Sequence, residues 1–322
     1  MRPLCSRFLA AATTIVMSAS AFAQGYPDRA IRIVVPYLPG GGVDAAARLV
    51  GQPMSEHLGQ SVVVDNRPGA ATNIGSDMVA KAKSDGYTLL LANPSQVANV
   101  SLYANMPYSL QKDLAPVVLI GVAPLILLVH PSLPVQGVKD LIALAKSKPN
   151  QLTYASAGIG SPTHIAPELF KWMAGVNIDH IPYKGGSQAV IDIIAGRVTL
   201  YFSAASTGLP LVRTGKLRAL GVTGAKRFPA APEVPTVSEG GLRGYEIVNW
   251  FALLAPAGTP HDAIAKLNAA ANKVIERADT AERLSQQGIE PAGGTPQALG
   301  AYLEKEIVKY GNVVRAANIK PE

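Results

Sequence analysis

The chain has 322 residues, 48% hydrophobic and 16% charged, with a formal net charge of +7 and one cysteine. That is enough apolar material for a large core, usually divided over two domains. Its basic residues form no run and carry no interleaved aromatics, which argues against a nucleic-acid partner.

Residues 1–23 read as a secretory signal peptide. Arg2 and Arg7 precede an apolar stretch from Phe8 to Ala19, and Ala21-Phe22-Ala23 supplies an A-x-A cleavage site. Cleavage is expected after Ala23, releasing the protein into the periplasm. Removing the two arginines lowers the formal charge to +5. Cys5 leaves with the signal, which excludes a disulfide, a cysteine nucleophile and cysteine-bound zinc from the exported chain. The most apolar later stretch, Val117–Val129, is broken by Gly121 and Pro124 and is too short to span a bilayer.

Strands and helices then alternate. Ile31–Tyr37 reads as a buried strand and Asp44–Leu58 as a helix. Ser61–Asp65 is a strand, Ile74–Ala82 a helix, and Thr88–Ala92 a strand that stops at Asn93-Pro94-Ser95. Val117–Ile120 and Leu125–Val129 read as two separate strands. Val138–Lys148 is a helix, Thr153–Ser156 a strand and Pro162–Ala174 a helix. Strands near Ile178–Ile181, Leu200–Ser203 and Leu217–Val222 alternate with helices Ser187–Ala195 and Ser206–Thr214. An extended segment, Gly244–Phe251, is placed to cross between lobes. Thr259-Pro260 and Thr295-Pro296 read as helix starts, a hydroxyl cap followed by proline. The last helix gathers Leu299, Tyr302, Leu303, Ile307, Tyr310, Val313 and Val314 on one face, a stripe expected to dock within the chain. This order predicts an α/β protein with mixed, mostly parallel sheets, whose ligands bind at the carboxyl ends of the strands.

Two turns share one design. Pro39-Gly40-Gly41-Gly42-Val43-Asp44 follows the first strand, and Ala157-Gly158-Ile159-Gly160-Ser161-Pro162 follows Leu152–Ser156. Each reads as strand, glycine turn, helix start. Glycine admits positive φ and close approach to backbone amides, and a helix start offers unpaired N–H groups and a partial positive charge. Each turn therefore fits a small anion without arginine or lysine, although each also reads as an ordinary βα turn. Asp44 carries the wrong charge for an anion ligand and is expected to order its turn by accepting backbone N–H groups. Ser161 reads equally as a helix cap and as a ligand contact, and His164 as a structural hydrogen-bonder or a ligand contact. Tyr37 sits at a strand end beside the cleft.

Other chemistries find no support. There is no G-x-S-x-G elbow for a serine hydrolase, and Ser161 and His164 share one helix start instead of forming a triad. His57, His130, His164, His180 and His261 show no metal-ligand spacing, and no P-loop or G-x-G-x-x-G follows a strand. No enzymatic activity, metal or cofactor is expected.

Several stretches together carry a family resemblance. They are Tyr26-Pro27-Asp28-Arg29-Ala30-Ile31-Arg32, Gly59–Ala70, Asp85-Gly86-Tyr87-Thr88-Leu89-Leu90, His180-Ile181-Pro182-Tyr183-Lys184-Gly185, Gly215–Leu220 and Ala255-Pro256-Ala257-Gly258-Thr259-Pro260. In this order they resemble the Bug/TctC family, the extracytoplasmic solute receptors of tripartite tricarboxylate transporters, over essentially the whole exported chain. The resemblance implies a two-lobed periplasmic-binding-protein fold of type II. Residues 24–123 and 251–322 would form one lobe and 124–250 the other, with the ligand in the cleft between them. It implies a small carboxylate or related metabolite, held by Tyr37, Leu38, Gly41, Gly42 and Asp44, with Thr72, Asn93 and Ser95, from the first lobe. From the second it implies Ala157, Gly158, Gly160, Ser161, Thr163, His164 and Ser203. A monomer serving membrane permease subunits is implied; a membrane sensor kinase is the alternative partner. Two departures bear on the ligand. Ala71-Thr72-Asn73 replaces a glycine-rich run, and Ser203 stands where many relatives carry an acidic or amide residue, which argues against an amino acid.

Overall fold

In the computed structural model, residues 25–183 and 185–321 are described; the expected signal peptide lies outside them. The first apolar runs become parallel strands with a helix after each. These are β1 (Ile31–Val35), α1 (Gly42–Leu58), β2 (Val62–Asn66), α2 (Asn73–Ala80), β3 (Thr88–Ala92) and α3 (Pro94–Leu102). A long strand, β4 (Leu114–Val129), leads to α4 (Val138–Ser147), β5 (Thr153–Ser156), α5 (Pro162–Ala174), β6 (Asp179–Pro182), α6 (Gly186–Ile194), β7 (Leu200–Ala204), α7 (Ala205–Arg213) and β8 (Arg218–Val222). The chain returns through β9 (Val248–Pro256) and ends with α8 (His261–Ile275), α9 (Ala278–Gln286), β10 (Glu290–Pro291) and α10 (Pro296–Ala316).

The strands run in the order β2-β1-β3-β9-β4-β7-β5-β6, with β8 and β10 also on β4. The two wings are parallel, β1 with β2 and β3, and β5 with β6 and β7. The middle is antiparallel through β9 and β4. Parallel wings put the ends of β1 and β3, and those of β5 and β7, at the starts of the following helices, where both glycine turns lie.

β4 differs from the sequence expectation of two strands. It is one strand of 16 residues. Leu114–Pro124 pairs with β9 and Leu125–Val129 with β7, so the strand passes from one wing to the other. Register shifts between Pro116 and Val118, and between Leu119 and Gly121, absorb the irregular residues as bulges. Gly121 is required by contact: a Cβ there would lie 2.5 Å from the Glu290 carbonyl of β10.

The strand Thr88–Ala92 stops at Asn93 as expected, and Asn93-Pro94-Ser95-Gln96 is also the start of a helix that the sequence reading does not include. The Asn93 side chain accepts from Ser95 N–H, Gln96 caps the Asn93 N–H in return, and Pro94 occupies the first helical position. Thr295 caps α10 as expected, accepting from Ala298 N–H at 3.1 Å. Thr259 does not cap α8: its hydroxyl donates to the Pro256 carbonyl at 2.7 Å, and Pro260 itself stands at the cap position. The α10 stripe packs inside the protein. Leu299, Leu303, Tyr310, Val313 and Val314 join one continuous cluster reaching from Val34 and Leu90 to Tyr154 and Ile165. No helix among the described residues is long and apolar enough to cross a membrane.

Candidate binding site

The first turn is held open by Asp44. Its carboxylate, 4% exposed, accepts from Gly40 N–H at 2.9 Å, Asn66 Nδ2 at 3.0 Å and Arg48 Nε at 3.0 Å. Burial pushes its pKa up, but the bonds from Arg48, Gly40 and Asn66 outweigh burial and hold it below the usual carboxylate value. The charge is thus spent within the turn. The first bond of α1 runs from Ala45 N–H to the Gly41 carbonyl. Ahead of it, the N–H groups of Gly41, Gly42, Val43 and Asp44 have no partner among the described residues. Gly41 and Gly42 are exposed and a Cβ at either would meet open space, while Leu38 beside them is 66% exposed. Four free donors at the positive end of a 17-residue helix have the charge and geometry that suit an anion.

Tyr37 joins this turn to the start of α3. Its hydroxyl donates to Ser95 Oγ at 2.8 Å and accepts from Asn93 Nδ2 at 2.9 Å, and its carbonyl accepts from Asn66. Thr72 lies buried in a 3-10 turn, Ala70–Thr72, where Ala70, Ala71 and Thr72 all take positive φ, at 45°, 49° and 80°. A β-branched residue there is strained, and the departure from a glycine-rich run explains why. Asn99 of α3 clamps the segment, its Nδ2 donating to the Ala71 carbonyl at 2.6 Å and to Asn73 Oδ1 at 3.0 Å. Ala71→Gly should therefore be close to neutral. Relief of left-handed strain, about 1 kcal/mol, offsets glycine's entropy cost of similar size. A loss above about 2 kcal/mol in urea unfolding would refute this account.

The second turn is different. Its amides were expected to be open, but most are already engaged. Ala157 N–H donates to Thr163 Oγ1 at 2.8 Å, Gly158 N–H to Ser156 Oγ at 3.1 Å and Gly160 N–H to His164 Nδ1 at 3.1 Å. Ser161 does not cap α5. Its hydroxyl donates to the Gly158 carbonyl at 2.6 Å and lies 3.0 Å from Thr163 Oγ1. The N–H groups of Ile159 and Thr163 remain without a partner among the described residues. Two expected contacts turn inward. His164 is 4% exposed and spends Nδ1 on the turn. Ser203 is fully buried, donates to the Ala204 carbonyl at 3.1 Å and faces Gly208 of α7. Its side chain is thus turned toward α7.

Each turn has a neighbour on α3: Tyr37 bonds Asn93 and Ser95 at its start, and Gly160 lies beside Asn99 and Leu102 further along. A Cβ on Gly160 would lie 3.0 Å from Leu102 and 3.6 Å from Asn99 Oδ1. Asn99 is fully buried, and its Oδ1 has no hydrogen-bond partner among the described residues. Asn66, Asn99, Ser156 and His180 were not singled out as site residues from sequence. The β5–β6 register, which sets Tyr154 opposite His180, is what brings the last into place. Two surface hollows, about 280 Å³ against Tyr26, His57 and Lys266 and about 530 Å³ along Glu304, Val308 and Lys309, lie apart from these turns. Among the described residues no group of three His, Cys, Asp or Glu side chains is placed to hold a metal.

Burial, then the Lys171 charge, lowers the His164 pKa to about 4; burial and the adjacent His164 do the same to His180. Unfolded imidazoles titrate near 6.5. Between pH 6.5 and 4 the unfolded chain therefore binds more protons, and stability falls as pH falls through that window, by roughly 3 kcal/mol for His164 alone. Melting temperature followed against pH should show this slope, and His164→Asn should flatten it. An unchanged slope in that variant would count against the assignment.

These features define a class: a mixed α/β fold of the periplasmic-binding type, with a glycine turn and helix start after a parallel strand in each wing. The sequence profile of the family described as "Tripartite tricarboxylate transporter family receptor" matches residues 46–319, and the chain belongs to that family. Its members are periplasmic solute receptors, not enzymes. BugT of Bordetella pertussis is 37% identical over 309 residues, covering 95% of each chain. A UPF0065 protein from the tcbD-tcbE intergenic region of Pseudomonas sp. strain P51 is 40% identical over 96% of this chain and 93% of its own. Rpa4515 of Rhodopseudomonas palustris, solved with adipate, superposes with a TM-score of 0.85 at 39% identity over 92% of this chain and all of its own. MatC from the same organism, with bound malate, gives a TM-score of 0.81 at 31% identity over 90% of this chain and all of its own.

Proposed function

We propose that the chain is an exported receptor that captures a small carboxylate between its two glycine turns and delivers it to membrane permease subunits. The observation that carries this reading is the row of free N–H groups from Gly41 to Asp44 at the start of α1, in a family whose relatives were solved with adipate and malate. The exported form begins at Gln24. Residues 24–123 with 251–322 form one lobe and 124–250 the other.

The first lobe receives the anion at Leu38, Gly41 and Gly42, with Tyr37, Thr72, Asn93 and Ser95 shaping the floor. Closure adds the second turn, residues 157–163, in which Ala157, Gly158, Gly160 and Ser161 hold the backbone by their internal bonds and the free N–H groups of Ile159 and Thr163 are the donors, and removes water. Amide donors then act on a charged acceptor in a low-dielectric space, where such bonds are strongest. The ligand shifts the population toward the closed state, which the permease recognises. Asp44 is already paired with Arg48, so it does not serve as a counter-ion for an ammonium group; the preferred ligand carries a carboxylate and no amine.

Thermal-shift measurements on residues 24–322 against dicarboxylates, aromatic acids, amino acids and the matching amides test this. Ligands that bind only the folded state raise the melting temperature by mass action. A saturable shift with one carboxylate class, lost in its amide, is expected. Selective binding of glutamate or aspartate would overturn the amine-free assignment. No shift, in protein that mass spectrometry shows to carry no ligand, would overturn the receptor reading for this panel.

A further inference from the structure

Three aromatic rings stack behind the second turn. Tyr154 of β5 lies on His180 of β6 at 4.7 Å between centroids, and His180 lies on His164 of α5 at 4.3 Å with 20° between planes. At the base, Tyr154 OH donates to Glu168 Oε1 at 2.5 Å and Lys171 Nζ donates to the same oxygen at 2.6 Å. At the top, each histidine reaches a glycine amide of the turn. His164 Nδ1 accepts Gly160 N–H directly. His180 Nε2 lies 2.7 Å from Ser156 Oγ, and that oxygen accepts Gly158 N–H.

From this we propose that His180 is a positioning residue for the ligand site: through Ser156 it fixes the Gly158 amide, as His164 fixes that of Gly160. The pair thereby leaves Ile159 N–H and Thr163 N–H as the donors turned to the incoming carboxylate. The proposal rests on the second turn being a carboxylate site. The chemistry requires neutral imidazoles. A proton on His164 Nδ1 would face Gly160 N–H head on, and a cation on either ring would sit against its stacked neighbour and near the Lys171 ammonium. Burial keeps both rings neutral at physiological pH. The arrangement uses an acceptor where a serine or threonine cap would serve a simple helix start. Gly158 and Gly160 stand at φ of +119° and +75°, conformations that no regular hydrogen-bond ladder enforces.

Glutamine places a polar atom where histidine carries Nε2, whereas leucine does not, so the pair His180→Gln and His180→Leu separates hydrogen bonding from packing. Ser156→Ala removes the relay with little change in volume. The readouts are amide hydrogen exchange at Gly158 and calorimetric affinity for adipate, measured on residues 24–322. His180→Leu and Ser156→Ala are expected to speed Gly158 exchange and weaken adipate each by about 10-fold, the scale of one lost buried hydrogen bond. His180→Gln is expected to stay within about 3-fold of the parent. Parent-like exchange at Gly158 in both His180→Leu and Ser156→Ala would overturn the proposal, as would glutamine doing no better than leucine. Should the parent bind no carboxylate, the receptor reading fails, while the exchange rates still decide whether His180 fixes the turn.

Discussion

Gly158→Val is expected to lower carboxylate affinity at least about 100-fold while leaving the protein folded. Gly158 stands at φ +119°, where side-chain-bearing residues are strained whatever the space. Space itself is not the obstacle, since the nearest atom to an added Cβ is the Tyr183 carbonyl oxygen at 3.6 Å. The cost falls on the backbone, about 1–3 kcal/mol for a forced outlier. The chain can avoid that cost only by giving up the local bonds. Those are Gly158 N–H to Ser156 and the Gly158 carbonyl's bonds from Ser161 N–H and Ser161 Oγ. Once they break, the free N–H groups of Ile159 and Thr163 no longer point to one place. Hydrogen bonds to a charged group are worth roughly 1.5–3 kcal/mol each, so losing two removes 100-fold or more. Gly59→Val is the control. Gly59 ends α1 at φ +65° with open space around it, so it imposes similar strain away from the turns. Calorimetry should find its affinity unchanged. Equal affinity for Gly158→Val and the parent would mean that the second turn does not grip the ligand.

The parts of this molecule legible in the sequence are those that local rules decide. Ile31–Val35 had to be a buried strand, and glycine after it had to be a turn; Asp44 could be assigned to ordering that turn because its charge excluded the alternative. The asymmetry between the two turns was not legible. Both have the same strand-glycine-helix pattern, yet one keeps its amides free and the other spends them. What decides is which side chains fold back onto the amides: Ser156, Thr163 and His164 each accept one in the second turn, and His180 stands behind Ser156 because β6 pairs with β5 in the register Tyr154 to His180. The burial of Ser203 was not legible for a related reason. Its position in the strand was right, but the facing helix, α7, claims its side chain through Gly208. The strand stop at Asn93 was legible, whereas the α3 start was passed over, because Asn93-Pro94 serves turns and helix caps alike until Gln96 is counted. β4 was divided at Gly121 and Pro124 since neither favours a strand. The structure tolerates both by bulging, and by placing Pro124 where the β9 partnership ends and that with β7 begins.

That same passage sets up the largest loss of stability we expect from a single change, Trp250→Ala. Trp250 of β9 is fully buried and pairs with Val122, two residues before the end of the β4 ladder at Pro124 and Val248. α10 covers the site. The indole N–H donates to Glu306 Oε2 at 3.2 Å, Tyr302 stands edge-on at 6.0 Å, and Tyr310 OH donates to the Val248 carbonyl at 3.3 Å. Glu306 is 2% exposed, and its other oxygen accepts from Lys309 at 2.6 Å. Removing the indole leaves a cavity and takes one donor from a buried carboxylate. The expected cost is about 3–5 kcal/mol, or a fall in melting temperature of roughly 10 °C. Trp250→Phe keeps most of the packing and loses only the N–H, for about 1–3 kcal/mol. Adding Glu306→Ala to Trp250→Phe should cost less than the two single changes summed, because each removes one partner of the same hydrogen bond. Urea unfolding of these variants distinguishes a strand crossing braced by α10 from one that stands by its own ladder. In the second case Trp250→Ala would cost no more than a surface change. α10 lies on β4 and β9, bonded to β9 through Glu306 and Tyr310, beside the point where β4 leaves β9 for β7.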